Sequence, residues 1–289
     1  MKKITVKVPA KINLTLDVLG AKNGYHQISS LVASIDVYDT ITAKKRTDGK
    51  ITVLNKGLPV DCPIIENNAY KASKLFIDTF GTYGVDIIID KKIPVGGGLG
   101  GSSADIAGVL NALNALYEIN GDMSPLASDL GSDATYMLSG GYAVIKNRGE
   151  QVEKKDIDKK IYLLLITENG QISARNAYKK FDQKKKFFEP STDLAVDALY
   201  QGDFESAKTH FKNDLYQSAC ELLPAVKNNV YNLQKAGANT TLLAGSGPTV
   251  LGIFGNKNER DVVYKKLIGL YGENLIKAQT VIPKNDKFI

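Results

Sequence analysis

A glycine-rich stretch at residues 94–104 constrains this chain more than any other feature of its sequence. It reads Pro-Val-Gly-Gly-Gly-Leu-Gly-Gly-Ser-Ser-Ala, with an apolar, strand-like segment before it (85–89) and apolar residues at helical spacing after it (105–113). Because glycine has no side chain, backbone N–H groups in such a loop can close around an anion, and the helix that follows adds partial positive charge. The stretch therefore predicts a phosphate-binding loop, with a purely structural glycine turn as the alternative.

Three common phosphate-binding loops are excluded by what surrounds the glycines. Gly96, Gly98 and Gly101 match G-x-G-x-x-G, but the segment about 20 residues further on (122–125) reads as a loop and helix start, whereas a dinucleotide fold needs a strand there. A Walker loop would end in Gly-Lys-Ser or Gly-Lys-Thr, which does not occur in the chain. The His-Arg-Asp and Asp-Phe-Gly sequences of protein kinases are also missing.

Length and composition predict two domains. A chain of 289 residues with 43% hydrophobic content can bury two cores of ordinary size. The charged run at residues 153–160 has no apolar periodicity, so we expect the domains to span residues 1–155 and 156–289. The net charge of +6 fits a phosphate-bearing partner, but the lysines are spread along the chain. This distribution argues against a nucleic-acid polymer as that partner.

Cysteine usage and hydropathy bear on the cellular setting. Cys62 and Cys220 are far apart, and neither belongs to a Cys-x-x-Cys pair, which argues against disulfides and structural zinc and favours a reducing cytoplasm. The N-terminus turns polar before a signal-peptide core could form, and no apolar run approaches the roughly 20 residues that span a bilayer. We therefore expect a cytoplasmic protein with no membrane contact.

Local patterns predict several secondary-structure elements. Residues 2–20 read as two strands separated by Pro9, Ala10 and Lys11, which would place Lys11 and Asn13 on one face of the second strand. A helix is predicted to begin at residues 67–68 and to stop at Gly81. Further helices are predicted near residues 174–181, 192–201 and 204–234.

Three segments together resemble a known superfamily. Residues 9–13 (Pro-Ala-Lys-Ile-Asn), 94–104 and 243–249 (Leu-Ala-Gly-Ser-Gly-Pro-Thr) are similar, in order and spacing, to the three motifs of the small-molecule kinases named for galactose, homoserine, mevalonate and phosphomevalonate. Within that superfamily, Gly24-Tyr25-His26, Asp39-Thr40, Glu66-Asn67 and the tripled glycine resemble the branch that phosphorylates 4-diphosphocytidyl-2-C-methyl-D-erythritol. The resemblance covers about residues 7–249.

The resemblance implies a fold, a reaction and its partners. The fold would be α+β with two domains, the first like the second domain of ribosomal protein S5 and the second ferredoxin-like. The reaction would transfer the γ-phosphoryl group of ATP, with Mg²⁺, to the tertiary hydroxyl of a cytidine diphosphate-linked polyol, a step of isoprenoid precursor biosynthesis. The expected assembly is a monomer or a homodimer.

The resemblance also implies roles for individual residues. Asp133 matches the general base and Lys11 the cation beside it. Positions matching nucleotide-binding residues are Asn67, Pro94, Gly96, Gly97, Gly98, Gly100, Gly101, Ser102 and Ser103. Ser103 is in addition the expected Mg²⁺ ligand. Positions matching substrate-binding residues are Asn13, Tyr25, His26, Tyr178, Gly247 and Thr249.

Ordinary structural roles compete with these assignments. Asp133, Asn67, Ser102 and Ser103 all stand at predicted helix starts, where their side chains would serve as caps. Tyr178 also fits the apolar face of an amphipathic helix. His26 could be a plain turn residue, and residues 245–249 a tight hairpin between two strands.

The chain departs from the family pattern at a few positions. In the glycine loop, Ser102 replaces a glycine and Ala104 replaces a serine. Further along the chain, Thr135 replaces a proline and Ala174 replaces a threonine. Around Asp133, Gly131-Ser132-Asp133-Ala134-Thr135 stands where the family has Gly-Ala-Asp-Val-Pro. Two alternatives stay open: a superfamily kinase with another small alcohol as acceptor, and a nucleotide-binding regulatory relative without turnover.

Overall fold

Two β-sheets organise the computed structural model, which describes residues 2–168, 170–184 and 189–283. The strands of the first sheet are β1 (Lys3–Asn13), β2 (Thr15–Lys22), β3 (Tyr25–Lys45), β4 (Ile51–Gly57), β5 (Val85–Lys91), β6 (Tyr142–Asn147), β7 (Gln151–Lys155) and β9 (Lys212–Asn213). The strands of the second sheet are β8 (Tyr162–Ile166), β10 (Thr240–Leu243), β11 (Val250–Phe254) and β12 (Leu275–Gln279).

Helices lie between groups of these strands along the chain. They are α1 (Asn68–Phe80), α2 (Gly101–Tyr117), α3 (Ser124–Leu130), α4 (Ala134–Met137), α5 (Ala174–Asp182), α6 (Thr192–Tyr200), α7 (Phe204–His210), α8 (Tyr216–Leu222), α9 (Ala225–Ala236) and α10 (Lys257–Tyr271). Short 3₁₀ turns occur at Ile64–Glu66 and Gly272–Asn274. Among the residues that the structure describes, no helix combines the length and apolar character needed to cross a membrane.

The long strand β3 is the centre of the first sheet. It pairs antiparallel with β2 and β6 over its first part and with β1 and β5 further along. The predicted break at Pro9 was wrong, because β1 runs on to Asn13. A register shift between Pro9 and Ala10 accommodates the proline, which has no N–H to donate to a neighbouring strand. The chain breaks instead at Leu14.

Helices α1 and α2 cover the first sheet, and both were predicted. Asn67 caps α1 by accepting a hydrogen bond from the backbone N–H of Ala69 (2.9 Å), and Gly81 ends the helix with a left-handed φ of +62°. Helix α2 packs so closely on β3 that a Cβ atom on Gly108 would lie 2.6 Å from Cδ1 of Ile41. The strand, glycine loop and helix predicted for residues 85–113 are confirmed as β5, the loop and α2.

The second sheet is antiparallel, in the order β10-β11-β8-β12, with α9 and α10 packed against it. This arrangement confirms the predicted second α+β unit. The single helical segment predicted over 204–234 was wrong, because α7, β9, α8 and α9 occupy it. The amide of Asn213 explains the interruption: its Nδ2 donates to the carbonyl oxygens of Leu243 and Gly245, and its Oδ1 accepts from the N–H of Leu215.

The two halves of the chain are connected by backbone pairing. Strand β9 runs parallel to β2, with Thr15 opposite Lys212 and Leu16 opposite Asn213. Near the end of the described chain, Thr280 forms an isolated bridge with Ile35. Segments from the second half therefore form part of the first sheet, and the domain boundary at residue 155 stays a prediction.

Candidate active site

The glycine loop has a conformation suited to binding an anion. Gly96, Gly98 and Gly100 have left-handed φ angles of +70°, +80° and +73°. Within the described residues, no backbone N–H from Gly98 to Ser103 has a hydrogen-bond partner, and the start of α2 has no side-chain cap. Consecutive free N–H groups at a helix N-terminus form a concave site of partial positive charge. Capping by Ser102 or Ser103, the structural alternative, is not observed.

A second glycine turn, residues 245–249, lies against this loop and explains two of its glycines. A Cβ atom on Gly98 would overlap the carbonyl oxygen of Ala244, and one on Gly97 would lie 2.8 Å from Oγ1 of Thr249. Thr249 is fully buried, and its backbone N–H donates to the carbonyl of Gly97 (3.3 Å). The structure thus places Thr249 and its neighbour Gly247 behind the glycine loop, so their contact with substrate stays a prediction.

Lys11 and Asp133 form a pair next to the loop. The Nζ atom of Lys11 lies 3.2 Å from Oδ2 of Asp133 and donates to Oδ1 of Asn13 (2.7 Å). Asp133 directly precedes α4, yet its side chain makes no capping hydrogen bond. The amide of Asn13 also donates to Oγ of Ser30 (2.8 Å), which fixes the acceptor that Lys11 uses. The carboxylate is therefore available for chemistry and not committed to the helix.

A buried charged cluster, Lys91–Asp39–Asp105, lies beneath the loop, and sequence reasoning missed it. Nζ of Lys91 donates to Oδ2 of Asp39 (2.6 Å), to Oδ2 of Asp105 (2.7 Å) and to the carbonyl of Gly101 (3.1 Å). Burial raises the pKa of the Asp105 carboxyl to about 7, against the opposing charge of Lys91. The cluster joins β5, β3 and the first turn of α2, so it holds the loop in place. The sequence carries little signal for it, because other charged residues such as Asp36, Asp90 and Lys92 stand close to Asp39 and Lys91.

The three predicted aromatic residues make two separate contacts at another end of the site. The rings of His26 and Tyr178 stack with centroids 4.5 Å apart, and Nε2 of His26 is paired with Asp182 at 2.8 Å. Tyr25 is 56% exposed, and the guanidinium of Arg148 lies 4.5 Å from its ring centroid. Burial raises the pKa of the Tyr178 hydroxyl above its usual range. Flat apolar faces of this kind are suited to stacking against a base.

One cleft of about 520 Å³ is lined by the glycine loop, the Lys11–Asp133 pair and Tyr178. This volume is within the range of small-molecule sites. The lining of the cleft does not include the predicted residues Tyr25, His26, Gly247 and Thr249. Predicted residues that line it are Lys11, Asn13, Asn67, Pro94, Gly96, Gly97, Gly98, Gly100, Gly101, Ser102, Ser103, Asp133 and Tyr178. Arg148 lines it as well and was not predicted as a site residue, because Arg148-Gly149-Glu150 reads only as a turn that leads into a charged run.

The departures from the family pattern divide into two groups. Ala104 and Ala134 are fully buried, and Thr135 is half-buried and does not line the cleft. Ser102, Ser132 and Ala174, in contrast, line the cleft. The first group of changes lies away from the cleft, and the second group lies where a ligand would bind.

Comparisons with known proteins identify the family. The family model described as the GHMP kinases N-terminal domain matches residues 67–157. The 4-diphosphocytidyl-2-C-methyl-D-erythritol kinases of Bacillus cereus (strain AH187) and Bacillus anthracis (strain CDC 684 / NRRL 3495) are each 32% identical over 274 residues, which cover 92% of this chain and 93% of theirs.

Solved structures extend the comparison to the whole fold. A crystal structure of 4-(cytidine 5'-diphospho)-2C-methyl-D-erythritol kinase has a TM-score of 0.79 and 26% identity, covering 96% of this chain and 98% of that one. A homoserine kinase from Cytophaga hutchinsonii ATCC 33406 has a TM-score of 0.76 at 18% identity, covering 98% and 96% of the two chains. The latter likeness concerns the fold alone.

The fold and the cleft define an ATP-dependent small-molecule kinase with the two-domain α+β fold of the GHMP class. At 32% identity over nearly its whole length, the chain belongs to the 4-diphosphocytidyl-2-C-methyl-D-erythritol kinase family.

Proposed function

We propose that this kinase transfers the γ-phosphoryl group of ATP to the tertiary hydroxyl of 4-diphosphocytidyl-2-C-methyl-D-erythritol, a step of isoprenoid precursor biosynthesis. The observation that carries the proposal is the Lys11–Asp133 pair, 3.2 Å apart, in one cleft with a glycine loop that has free N–H groups and with Tyr178, which stacks on His26. Phosphoryl transfer requires mostly positioning and charge stabilisation, which these groups supply.

Asp133 acts as the general base in this proposal. Its carboxylate accepts the proton of the substrate hydroxyl while the hydroxyl oxygen forms a bond to the γ-phosphorus of ATP and the bond to the β-phosphate oxygen breaks, releasing ADP. The Lys11 ammonium stabilises the negative charge that develops on the attacking oxygen. Asn13 and Ser30 hold Lys11 through the hydrogen bonds described above, so Asn13 is a positioning residue for this step.

The nucleotide would be held by the glycine loop, whose free N–H groups from Gly98 to Ser103 face phosphate oxygens. No group of three or more His, Cys, Asp or Glu residues in the described ranges is placed to hold a metal ion. A Mg²⁺ bound mainly by ATP phosphates and water, with Ser103 as a protein ligand, fits this donor set. When bound, Mg²⁺ neutralises charge on the transferred phosphoryl group.

The cytosine base would bind at Tyr25, His26 and Tyr178. Pairing of His26 Nε2 with Asp182 fixes the imidazole ring and leaves Nδ1 for the base. All these residues come from one chain, so a monomer is sufficient, and a homodimer would carry two independent sites. A cytoplasmic location, where ATP is abundant, completes the proposal.

A coupled ADP-release assay with 4-diphosphocytidyl-2-C-methyl-D-erythritol tests the acceptor. We expect saturable turnover that depends on both substrates. Release of ADP no faster than without the alcohol would contradict the proposal. Turnover with a different alcohol would then identify a diverged kinase, and saturable ATP binding without turnover on a panel of alcohols would identify a regulatory relative.

A further inference from the structure

Arg148 lies at the tip of the hairpin between β6 and β7, and the tip is held in a fixed turn. Asn147 and Gly149 on either side have left-handed φ angles of +61° and +111°. The backbone N–H of Arg148 donates to Oε2 of Glu150 (2.9 Å), and that of Gly149 donates to the carbonyl of Lys146 (3.0 Å). The hairpin therefore presents the arginine side chain to the cleft from a rigid base.

The guanidinium of Arg148 has no carboxylate partner among the described residues. The other two cleft cations are engaged, Lys11 by Asp133 and Lys91 by Asp39 and Asp105. The contact recorded for the Arg148 guanidinium is with the ring of Tyr25, at 4.5 Å. Stacking on an aromatic face leaves the N–H donors at the edge of the guanidinium free to bind an anion.

Contacts along the cleft place Arg148 between two proposed subsites. The glycine loop packs on Lys11, since a Cβ atom on Gly100 would lie 3.0 Å from Cγ of that lysine. Lys11 pairs with Asp133, and a Cβ atom on Gly149 would lie 3.4 Å from Oδ1 of Asp133. Arg148 at the hairpin tip contacts the Tyr25 ring. The order is therefore glycine loop, Lys11–Asp133 pair, hairpin tip and Tyr25.

We infer that Arg148 is a substrate-binding residue that recognises the diphosphate connecting the cytidine to the alcohol. The inference rests on the proposed function, because a substrate with its base at Tyr25 and its hydroxyl at Asp133 must pass its diphosphate by the hairpin tip. A guanidinium binds phosphate oxygens through parallel N–H donors, which a single ammonium cannot do. Arg148 is thereby a specificity residue that selects nucleoside diphosphate alcohols over uncharged ones.

Isothermal titration of cytidine, CMP and CDP tests this subsite without turnover. A non-hydrolysable ATP analogue at saturation keeps the probes out of the nucleotide site. We expect wild-type protein to bind CDP more tightly than cytidine, and Arg148→Gln to lose roughly 10- to 100-fold in CDP affinity, as for a lost charged hydrogen bond. Cytidine affinity should stay within about twofold. Arg148→Lys should recover part of the loss.

Lys146→Gln is the matched control. It removes a cation from the same hairpin, and this cation is already paired with Glu153. It should leave the preference for CDP unchanged. An Arg148→Gln protein that keeps the full preference, or that loses cytidine and CDP affinity equally, would overturn the inference.

Kinetics separate this inference from the proposed function. With 4-diphosphocytidyl-2-C-methyl-D-erythritol, Arg148→Gln should raise the KM for the alcohol roughly 10- to 100-fold and leave the KM for ATP within about twofold. An inactive wild type whose CDP preference depends on Arg148 would contradict the function and retain the subsite. An active wild type whose CDP preference survives in Arg148→Gln would support the function and contradict the subsite.

Discussion

Asp133 directly precedes a short helix, a place where aspartate ordinarily caps the backbone. Its carboxylate instead lies 3.2 Å from Nζ of Lys11, with no bond to α4. The lysine is nearly fully buried, and the aspartate is partly open to the cleft. A buried cation beside a carboxylate that a ligand can reach gives one residue to remove a proton and another to stabilise the resulting charge.

We expect Asp133→Asn to lower kcat by about 100-fold or more, because an amide cannot accept the hydroxyl proton. ATP binding should remain, since the glycine loop is untouched, and the fold should remain, since the side chain does not cap α4. Steady-state ADP release and ATP titration measure the two effects. Asp129→Asn, an exposed change on the neighbouring helix α3, is the control. Unchanged kcat in Asp133→Asn would remove the residue from the mechanism.

The sequence was sufficient for residues whose signal is local. Lys11 belongs to a short recognisable motif, and the glycine loop is defined by its own composition. Lys91 could not be found in this way. Its partner Asp39 is distant in sequence and lies next to it because β3 pairs with β5 in a register that places Thr40 opposite Asp90. Arg148 was hidden for the same reason: a turn pattern indicates a hairpin but not what its tip contacts.

At the scale of elements, the site depends on the contact between two glycine turns. The loop before α2 and the turn after β10 approach so closely that Gly98 has no room for a side chain beside Ala244. The helical pattern over 204–234 did not reveal that Asn213 holds the second turn, because its hydrogen bonds to Leu243 and Gly245 are distant in sequence. Periodicity reports which face is buried, and it carries no information on such bonds.

Gly98→Ala should weaken ATP binding by roughly 10- to 100-fold, because a displaced loop loses charged hydrogen bonds to phosphate. ATP titration measures the effect. Gly202→Ala is the control, since Gly202 has a similar left-handed φ (+74° against +80°) but open space around it. Gly202→Ala should lose about 1–2 kcal/mol of stability from backbone strain, and Gly98→Ala should lose more, because its Cβ atom would also overlap the carbonyl oxygen of Ala244. If ATP binds both equally well, the loop does not hold phosphate in this conformation.

At the scale of the whole molecule, the cleft requires both halves of the chain to keep one relative position. We propose that the domains meet near residue 155, with contacts across the junction that fix their arrangement. Asp17 on β2 makes the densest of these contacts. Its carboxylate accepts hydrogen bonds from the backbone N–H groups of Ser191 and Thr192, both at 2.9 Å, and thereby caps α6 from another element. The Thr192 hydroxyl (2.6 Å) and Lys212 (3.1 Å) add to them.

Asp17→Asn should lower the free energy of unfolding at pH 7 by about 2 kcal/mol, the order expected for charged hydrogen bonds lost in a buried site. Burial alone raises the pKa of Asp17, but the hydrogen bonds from Thr192, Ser191 and Lys212 together hold that pKa below its ordinary value of 3.8. A depressed pKa stabilises the folded state above about pH 4, and this stabilisation is lost as the pH falls through the folded-state pKa. The difference between wild type and variant should therefore be constant from pH 5 to 7 and shrink below about pH 4.

Urea denaturation at several pH values measures this difference. The control is Asp193→Asn, an exposed change in the first turn of α6, which should cost no more than about 0.5 kcal/mol. A difference that persists undiminished at pH 3 would mean that the Asp17 charge does not contribute to stability, and that the side chain stabilises the fold by packing alone.

Because the same contact joins β2 to α6, a destabilised Asp17→Asn protein should also show a higher KM for the alcohol at pH 7, whereas Asp193→Asn should not.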